Sequence, residues 1–129
     1  MKLNKLLITI ERYLPLILMC IFIFIQSSRK AVVISYDGDT NFLIHKLAHV
    51  VVYILLFLTS IRAFKNLKYA LIFTIFYAVT DEIHQMFVKT RTSSFTDMMI
   101  DSISAYAAYL FIEKYYKKLP IILRKFFDL

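Results

Sequence analysis

The chain is poor in the residues that punctuate or decorate a soluble fold. Its 129 residues include one glycine, two prolines, one cysteine and no tryptophan. A lone cysteine excludes an intramolecular disulfide, and Cys20 lies in an apolar run, where it reads as a small packed hydrophobe. No H-E-x-x-H or closed Cys/His pattern is present, which argues against a metal centre. No basic stripe interleaved with base-stacking aromatics is present either, so the formal charge of +7 does not point to nucleic acid. Polar surface is scarcest of all. Hydrophobic residues make up 60% of the chain, aromatics 16%, and a soluble domain of this length would need far more polar surface. The class is integral membrane protein, and the length suits a single domain over residues 1–129.

What is there is a set of long apolar runs with cations at their ends. Four helices are expected, over about 3–28, 42–63, 67–88 and 96–117. The first carries Lys2 and Lys5 ahead of it, as a signal peptide would. Its exit, Gln26-Ser27-Ser28-Arg29-Lys30, has no A-x-A pattern, so it is read as a retained span. Glu11 and Arg12 fall near an interface, and Pro15 is expected to kink the helix slightly. A β-like run, Ala31 to Tyr36, and the turn signal Asp37-Gly38 precede helix two, with Thr40 or Asn41 as its expected N-cap. A short basic linker makes helices two and three an antiparallel hairpin. Ser93, Ser94 and Thr96 offer N-caps for helix four, and Pro120 ends it. A basic, aromatic tail at the interface completes the chain.

Cation placement sets an expected orientation. Lys2, Lys5, Arg12, Arg62, Lys65, Lys68, Lys114, Lys117, Lys118, Arg124 and Lys125 flank one side of the expected bundle. Only Arg29, Lys30, Lys89 and Arg91 flank the other. Eleven against four places both termini in the cytoplasm.

Within the apolar runs lie residues that a bilayer makes expensive. Asp81, Glu82, His84 and Gln85 close the third run, and a charged residue near a bilayer centre costs ~2.5–3.5 kcal/mol on insertion scales. Asp81, His84 and Gln85, at i, i+3 and i+4, are expected on one helical face. Helix two contributes His45, Lys46, His49 and Tyr53, with His45, His49 and Tyr53 forming a stripe. Helix four contributes Asp97, Asp101, Ser104 and Ala108, a narrow polar and small stripe suited to close packing. Counting about 1.5 Å per residue from the outer helix ends, His49, Asp81 and Asp101 all lie about 10 Å deep. A second layer nearer the surface holds His45, Lys46, His84, Gln85, Arg91 and Asp97.

These residues resemble the VanZ-like family. His45-Lys46-Leu47-Ala48-His49-Val50-Val51-Val52-Tyr53 looks like its K-x-x-H-x-x-x-Y element. Asp81-Glu82-Ile83-His84-Gln85-Met86-Phe87, followed by Arg91, Ser94, Asp97 and Asp101, looks like its D-E-x-H-Q-x-F … R … S-x-x-D-x-x-x-D element. Gln26-Ser27-Ser28 matches the polar exit of its first helix. Lys89-Thr90 stands where the family has Pro-Gly, and Ser104 where glycine is common. The resemblance implies an all-α, four-span protein of the bacterial cytoplasmic membrane, associated with resistance to the lipoglycopeptide teicoplanin.

The residues themselves leave the chemistry open. A charge lock would pair Asp81, Glu82, Asp97 and Asp101 with Lys46, Arg91 and the histidines, fixing helix order. An acid–base site would use Asp81, Glu82, His84, Gln85, His49 and Lys46, with His45, Tyr53, Arg91, Asp97 and Asp101 binding the ligand. Arg91, with Arg29 or Lys30, is a candidate for an anionic headgroup. His45, His49, His84, Asp81 and Asp101 are metal-ligand types, but Lys46 and Arg91 would repel a cation, and no cofactor is expected. Nucleophilic catalysis has no recognisable elbow around Ser27, Ser28 or Ser94. Expected partners are the lipid bilayer and a lipid-linked wall precursor or lipoglycopeptide. Glu113 and Lys117 read as a surface i,i+4 pair.

Overall fold

The connections in this chain are so short that each helix must turn back on the one before it. A computed structural model describes residues 2–29, 37–88 and 94–129, which form five α-helices and no strand. These are α1 (Lys2–Ser28), α2 (Gly38–Phe64), α3 (Leu67–Gln85), α4 (Phe95–Tyr115) and, after a 3-10 turn over Tyr116–Lys118, α5 (Ile121–Phe127). The β-like run at 31–36, Lys30, Lys89, Ser93 and Arg91 lie outside the described residues. The expected helices are found, with α2 starting four residues earlier than expected and α3 ending three earlier.

Side-chain caps account for several ends. The N-cap of α2 is Asp37, not Thr40 or Asn41: its Oδ2 accepts from the Thr40 amide at 3.0 Å and from the Thr40 hydroxyl. Those two donors, the hydroxyl first, hold the Asp37 carboxyl below the ordinary carboxylate range. Asn66 caps α3 by accepting from the amides of Lys68 and Tyr69 at 3.0 and 3.1 Å. Between them Lys65 takes the left-handed conformation, φ 51°, which lets its amide close on the Ile61 carbonyl and reverses the chain in two residues. Pro120 does not simply end α4; it opens α5, which folds back so that Phe127 is buried. The interfacial tail is therefore a docked helix.

Contacts that tie residues of different helices fix the topology. Cys20 and Ser28 of α1 meet Tyr77 and His84 of α3, so those two helices run parallel. Lys46 and His49 of α2 meet Asp97 and Asp101 of α4, so these are parallel too. The bundle is up-down-up-down, with α2 and α3 as the central pair, α1 packed on one side and α4 on the other. One core cluster joins α1, α2 and α3 around Leu16, Ile23, Tyr53 and Leu56; another joins α2, α3, α4 and α5 around Phe57, Ile61, Ala70, Ile112 and Phe127.

The distribution of polarity is inverted relative to a soluble domain. Large apolar side chains face outward on every helix, including Leu18, Val51, Phe76 and Ile103. The interior holds Ser60, Thr74, Asp81, Glu82, Gln85, Asp101 and Ser104. Small residues line the close approaches, with Ala63, Ala70, Ala78 and Ala105 fully buried. Ser60, Thr74 and Ser104 return their hydroxyls to the carbonyl four residues back, at 2.7, 2.9 and 2.6 Å, so they add no orphan donor to the interface. Ser104, where the family favours glycine, is accommodated that way. By length and composition, Leu6–Ser28 and Gly38–Phe64 are apolar enough to cross a membrane. Helices α3 and α4 carry Asp81, Glu82, Asp97, Asp101 and Glu113, which lowers their hydropathy although Asp81, Glu82 and Asp101 are buried.

Candidate functional site

Three residues of α2 organise the polar end of the bundle. Lys46, His49 and Tyr53 stand at i, i+3 and i+7, within about 60° of one another on the helix. Each meets one carboxylate. Lys46 pairs with Asp97, and both side chains remain about a fifth exposed, at 18% and 19%. The His49 Nδ1–H donates to the Asp101 carboxylate, 3.0 Å from Oδ1 and 3.3 Å from Oδ2, with Asp101 fully buried. The Tyr53 hydroxyl donates to Asp81 Oδ2 at 3.3 Å. The rings of His49 and Tyr53 lie parallel, 2° apart in plane and 6.4 Å between centroids. The result is a ladder of three carboxylates, two from α4 and one from α3, read out along a single face of α2.

On α3 the polar residues divide among three neighbours. Taking Asp81 as zero and about 100° per residue, Gln85 lies roughly 40° to one side, Glu82 about 100° to that side and His84 roughly 60° to the other. Gln85 Nε2 donates to Asp81 Oδ2 at 3.0 Å, so these two share the face toward α2. Glu82 turns toward α4, where its Oε2 accepts the Ser94 amide at 2.9 Å and anchors the start of that helix. His84 turns toward α1, with its Nε2 2.9 Å from the Ser28 hydroxyl and its ring 4.6 Å from that of Phe24. The expectation of one face for Asp81, His84 and Gln85 therefore holds for Asp81 and Gln85 only. A pair at i, i+3 and a pair at i, i+4 diverge in opposite senses, and that difference is enough to reach two different helices.

The expected common depth of His49, Asp81 and Asp101 appears here as adjoining rungs. Of the acids on helices three and four expected to pair with Lys46, Asp97 of α4 is the one it meets. The stripe through His45 is replaced by one through Lys46, because i, i+3, i+7 tracks the facing groove as well as i, i+4, i+8 does. His45 is half-buried. Arg91 lies outside the described residues. Glu113 accepts from the Tyr109 hydroxyl at 2.6 Å and makes no ion pair with Lys117 among the described residues. The Ser28–His84 contact was not foreseen; the only sequence signal was the polar exit of α1.

Chemically, the Asp101 carboxylate fixes the His49 tautomer with Nδ1 protonated, which leaves Nε2 as the acceptor in the neutral ring. That arrangement can move a proton or orient a ligand. Among the described residues no three His, Cys, Asp or Glu side chains are grouped to hold a metal ion.

No curated protein and no solved structure matches this chain. The VanZ/LLP1 family matches residues 12–116, a stretch that begins at Arg12 in α1, ends just past α4 and includes every rung of the ladder. The chain belongs to the VanZ/LLP1 family.

Proposed function

We propose that this protein spans a bacterial cytoplasmic membrane four times, with both termini inside, and presents the Lys46–His49–Tyr53 ladder at the outer face. There it engages the polar head of a lipid-linked envelope ligand and lowers susceptibility to a lipoglycopeptide such as teicoplanin. Apolar exteriors on all four long helices, around a polar interior, support four spans rather than two. The cation asymmetry supports the orientation, and family membership supports the link to the envelope and the antibiotic.

The observation that carries the reading is the concentration of four acids and three histidines at one end of the bundle. Fixing helix order would need one or two such pairs, since buried ion pairs contribute specificity at a cost in desolvation. Here Asp81, Glu82 and Asp101 are buried while Lys46, Asp97, His49 and His84 are only partly covered, so the Lys46–Asp97 pair and two imidazoles form the accessible rim. A second reading rests on the His49–Asp101 pair. Held in one tautomer, His49 is suited to general-base work on a lipid-linked substrate.

The test is teicoplanin susceptibility of cells expressing wild type, Glu82→Gln or Asp101→Asn at matched membrane levels. Protection by wild type that both substitutions abolish is the expected outcome. No difference between wild type and empty vector removes the resistance reading; equal protection by all three makes the ladder a structural lock. Orientation is tested separately in a Cys20→Ser background. Asp39→Cys should react with an impermeant thiol reagent in intact cells, and Lys68→Cys should not.

A further inference from the structure

The opposite end of the bundle, where α1 begins, α2 ends and α5 docks, is built around arginines that bond backbone carbonyls rather than carboxylates. Arg12 Nε donates to the Arg62 carbonyl at 3.3 Å, and Arg62 Nη1 donates to the Phe126 carbonyl at 3.2 Å. The Arg62 guanidinium also lies 4.7 Å from the centre of the Phe126 ring. Arg124 sits two residues before Phe126, on the same face of α5 as buried Phe127. Among the described residues none of these three arginines pairs with a carboxylate. The nearby acid, Asp128, is taken by Lys65, whose bond is the main reason its carboxyl lies below the ordinary range.

Two donors at this end are left over. The Nε–H groups of Arg62 and Arg124 are both buried and neither has a hydrogen-bond partner. An unpaired buried donor on a cation is costly, and a guanidinium N–H is complementary to an oxyanion. Beside them α5 exposes Ile121, Ile122 and Leu123, at 55%, 76% and 42%, an apolar flank that a free anion would not use. Guanidinia facing an anion with apolar surface alongside are the complement of a phospholipid.

We propose that this end of the bundle binds the headgroup phosphate of an anionic phospholipid, with Arg12, Arg62 and Arg124 as donors and α5 bearing the acyl chains. The site is separate from the carboxylate ladder and rests only on the bundle's residence in a membrane. Residence is scored on its own, by resistance of the protein to alkaline extraction from membranes.

The test uses the full chain, purified in neutral detergent and mixed with phosphatidylglycerol or phosphatidylcholine, with lipid adducts counted by native mass spectrometry. Phosphatidylglycerol should be retained in preference to phosphatidylcholine. Arg124→Gln, at a side chain with no hydrogen bond among the described residues, should weaken retention roughly fivefold, as should Arg12→Gln, from ~1 kcal/mol per cation near a headgroup. Lys117→Gln removes the same charge from an exposed position and should change retention by less than about twofold, since only a diffuse field is lost there. Equal retention of the two lipids overturns the proposal. So does an equal loss in Arg124→Gln and Lys117→Gln, which would make the attraction nonspecific. Full displacement of phosphatidylglycerol by millimolar inorganic phosphate would make the site one for free phosphate and overturn the lipid assignment.

Discussion

The two ends of this bundle satisfy their charged groups in opposite ways. At the ladder end, Asp81 of α3 and Asp97 and Asp101 of α4 are each met by one side chain projecting from α2, and Asp81 accepts from Gln85 of its own helix as well. At the arginine end, Arg12 and Arg62 are met by backbone carbonyls that the helices cannot use, and among the described residues only Lys65 takes a carboxylate, that of Asp128. Arg12 reaches the Arg62 carbonyl in the last turn of α2, and Arg62 reaches the Phe126 carbonyl in the last turn of α5. Arg62 Nη2 lies 3.5 Å from the Glu11 carbonyl, the group left without its i+4 donor because residue 15 is proline. Side-chain pairing specifies which helices meet and in what register. Carbonyl collection gathers helix ends and accepts whichever carbonyl is orphaned. The first arrangement is a set of discrete locks, and the second is a clasp.

If that distinction is right, the largest loss should come from removing an acceptor shared by two locks. Asp81→Leu leaves the Tyr53 hydroxyl and the Gln85 amide without their common acceptor in the interior. At ~1–3 kcal/mol per orphaned buried donor, the loss should be roughly 2–4 kcal/mol. The midpoint of unfolding in detergent measures it. Adding Tyr53→Phe should recover part of the loss, because one of the stranded donors disappears with its hydroxyl. A double variant as unstable as the sum of its parts would show that Tyr53 and Asp81 do not share the bond.

A smaller effect should separate the rung observed from the pairing that the sequence alone suggests. Lys46→Met and Asp97→Asn should be non-additive by ~1–2 kcal/mol. That lies below the value for fully buried pairs because both side chains are about a fifth exposed. Lys46→Met combined with Asp81→Asn should be additive, since Asp81 is engaged by Tyr53 and Gln85. The reverse result in the two cycles would return Lys46 to α3.

How much of this was legible beforehand follows from what each signal encodes. The four long helices and the α2–α3 hairpin came from periodicity and linker length, which are properties of one chain segment. The rung partners needed the rotation of one helix against another, and a shift of one residue exchanges His45 for Lys46 on the facing stripe. His84 shows the same limit: spacing places it near Asp81, but only the position of α1 decides that it meets Ser28 instead. Docking of α5 was hidden for a different reason. Its anchor is a carbonyl, Phe126 O, and every residue has a carbonyl, so composition carries no trace of which one is used. The acidic ladder is written in rare residues and reads as a motif; the clasp is written in backbone.

The clasp can be broken at Arg62, with an expected loss no larger than the Lys46–Asp97 coupling. Arg62→Gln removes the bond to Phe126 O and the longer one to Glu11 O, together worth roughly 1–2 kcal/mol for a half-buried guanidinium on neutral acceptors. The loss should be local. Amide exchange in α5 should accelerate while α3 and α4 keep their protection, because no rung of the ladder touches Arg62. Arg62→Lys should restore little, since an ammonium lacks the planar fork that spans two carbonyls set by different helices. Pro15 supplies the internal control. Pro15→Ala gives residue 15 an N–H for the Glu11 carbonyl, so one of the two groups Arg62 collects is then satisfied within α1. In that background Arg62→Gln should cost less than in wild type, with the remaining loss still confined to α5. If instead the loss is unchanged by Pro15→Ala, the Glu11 contact carries no weight and Arg62 acts on α5 alone. If exchange rises in α3 and α4 as well, the two ends are coupled and the contrast between locks and clasp fails.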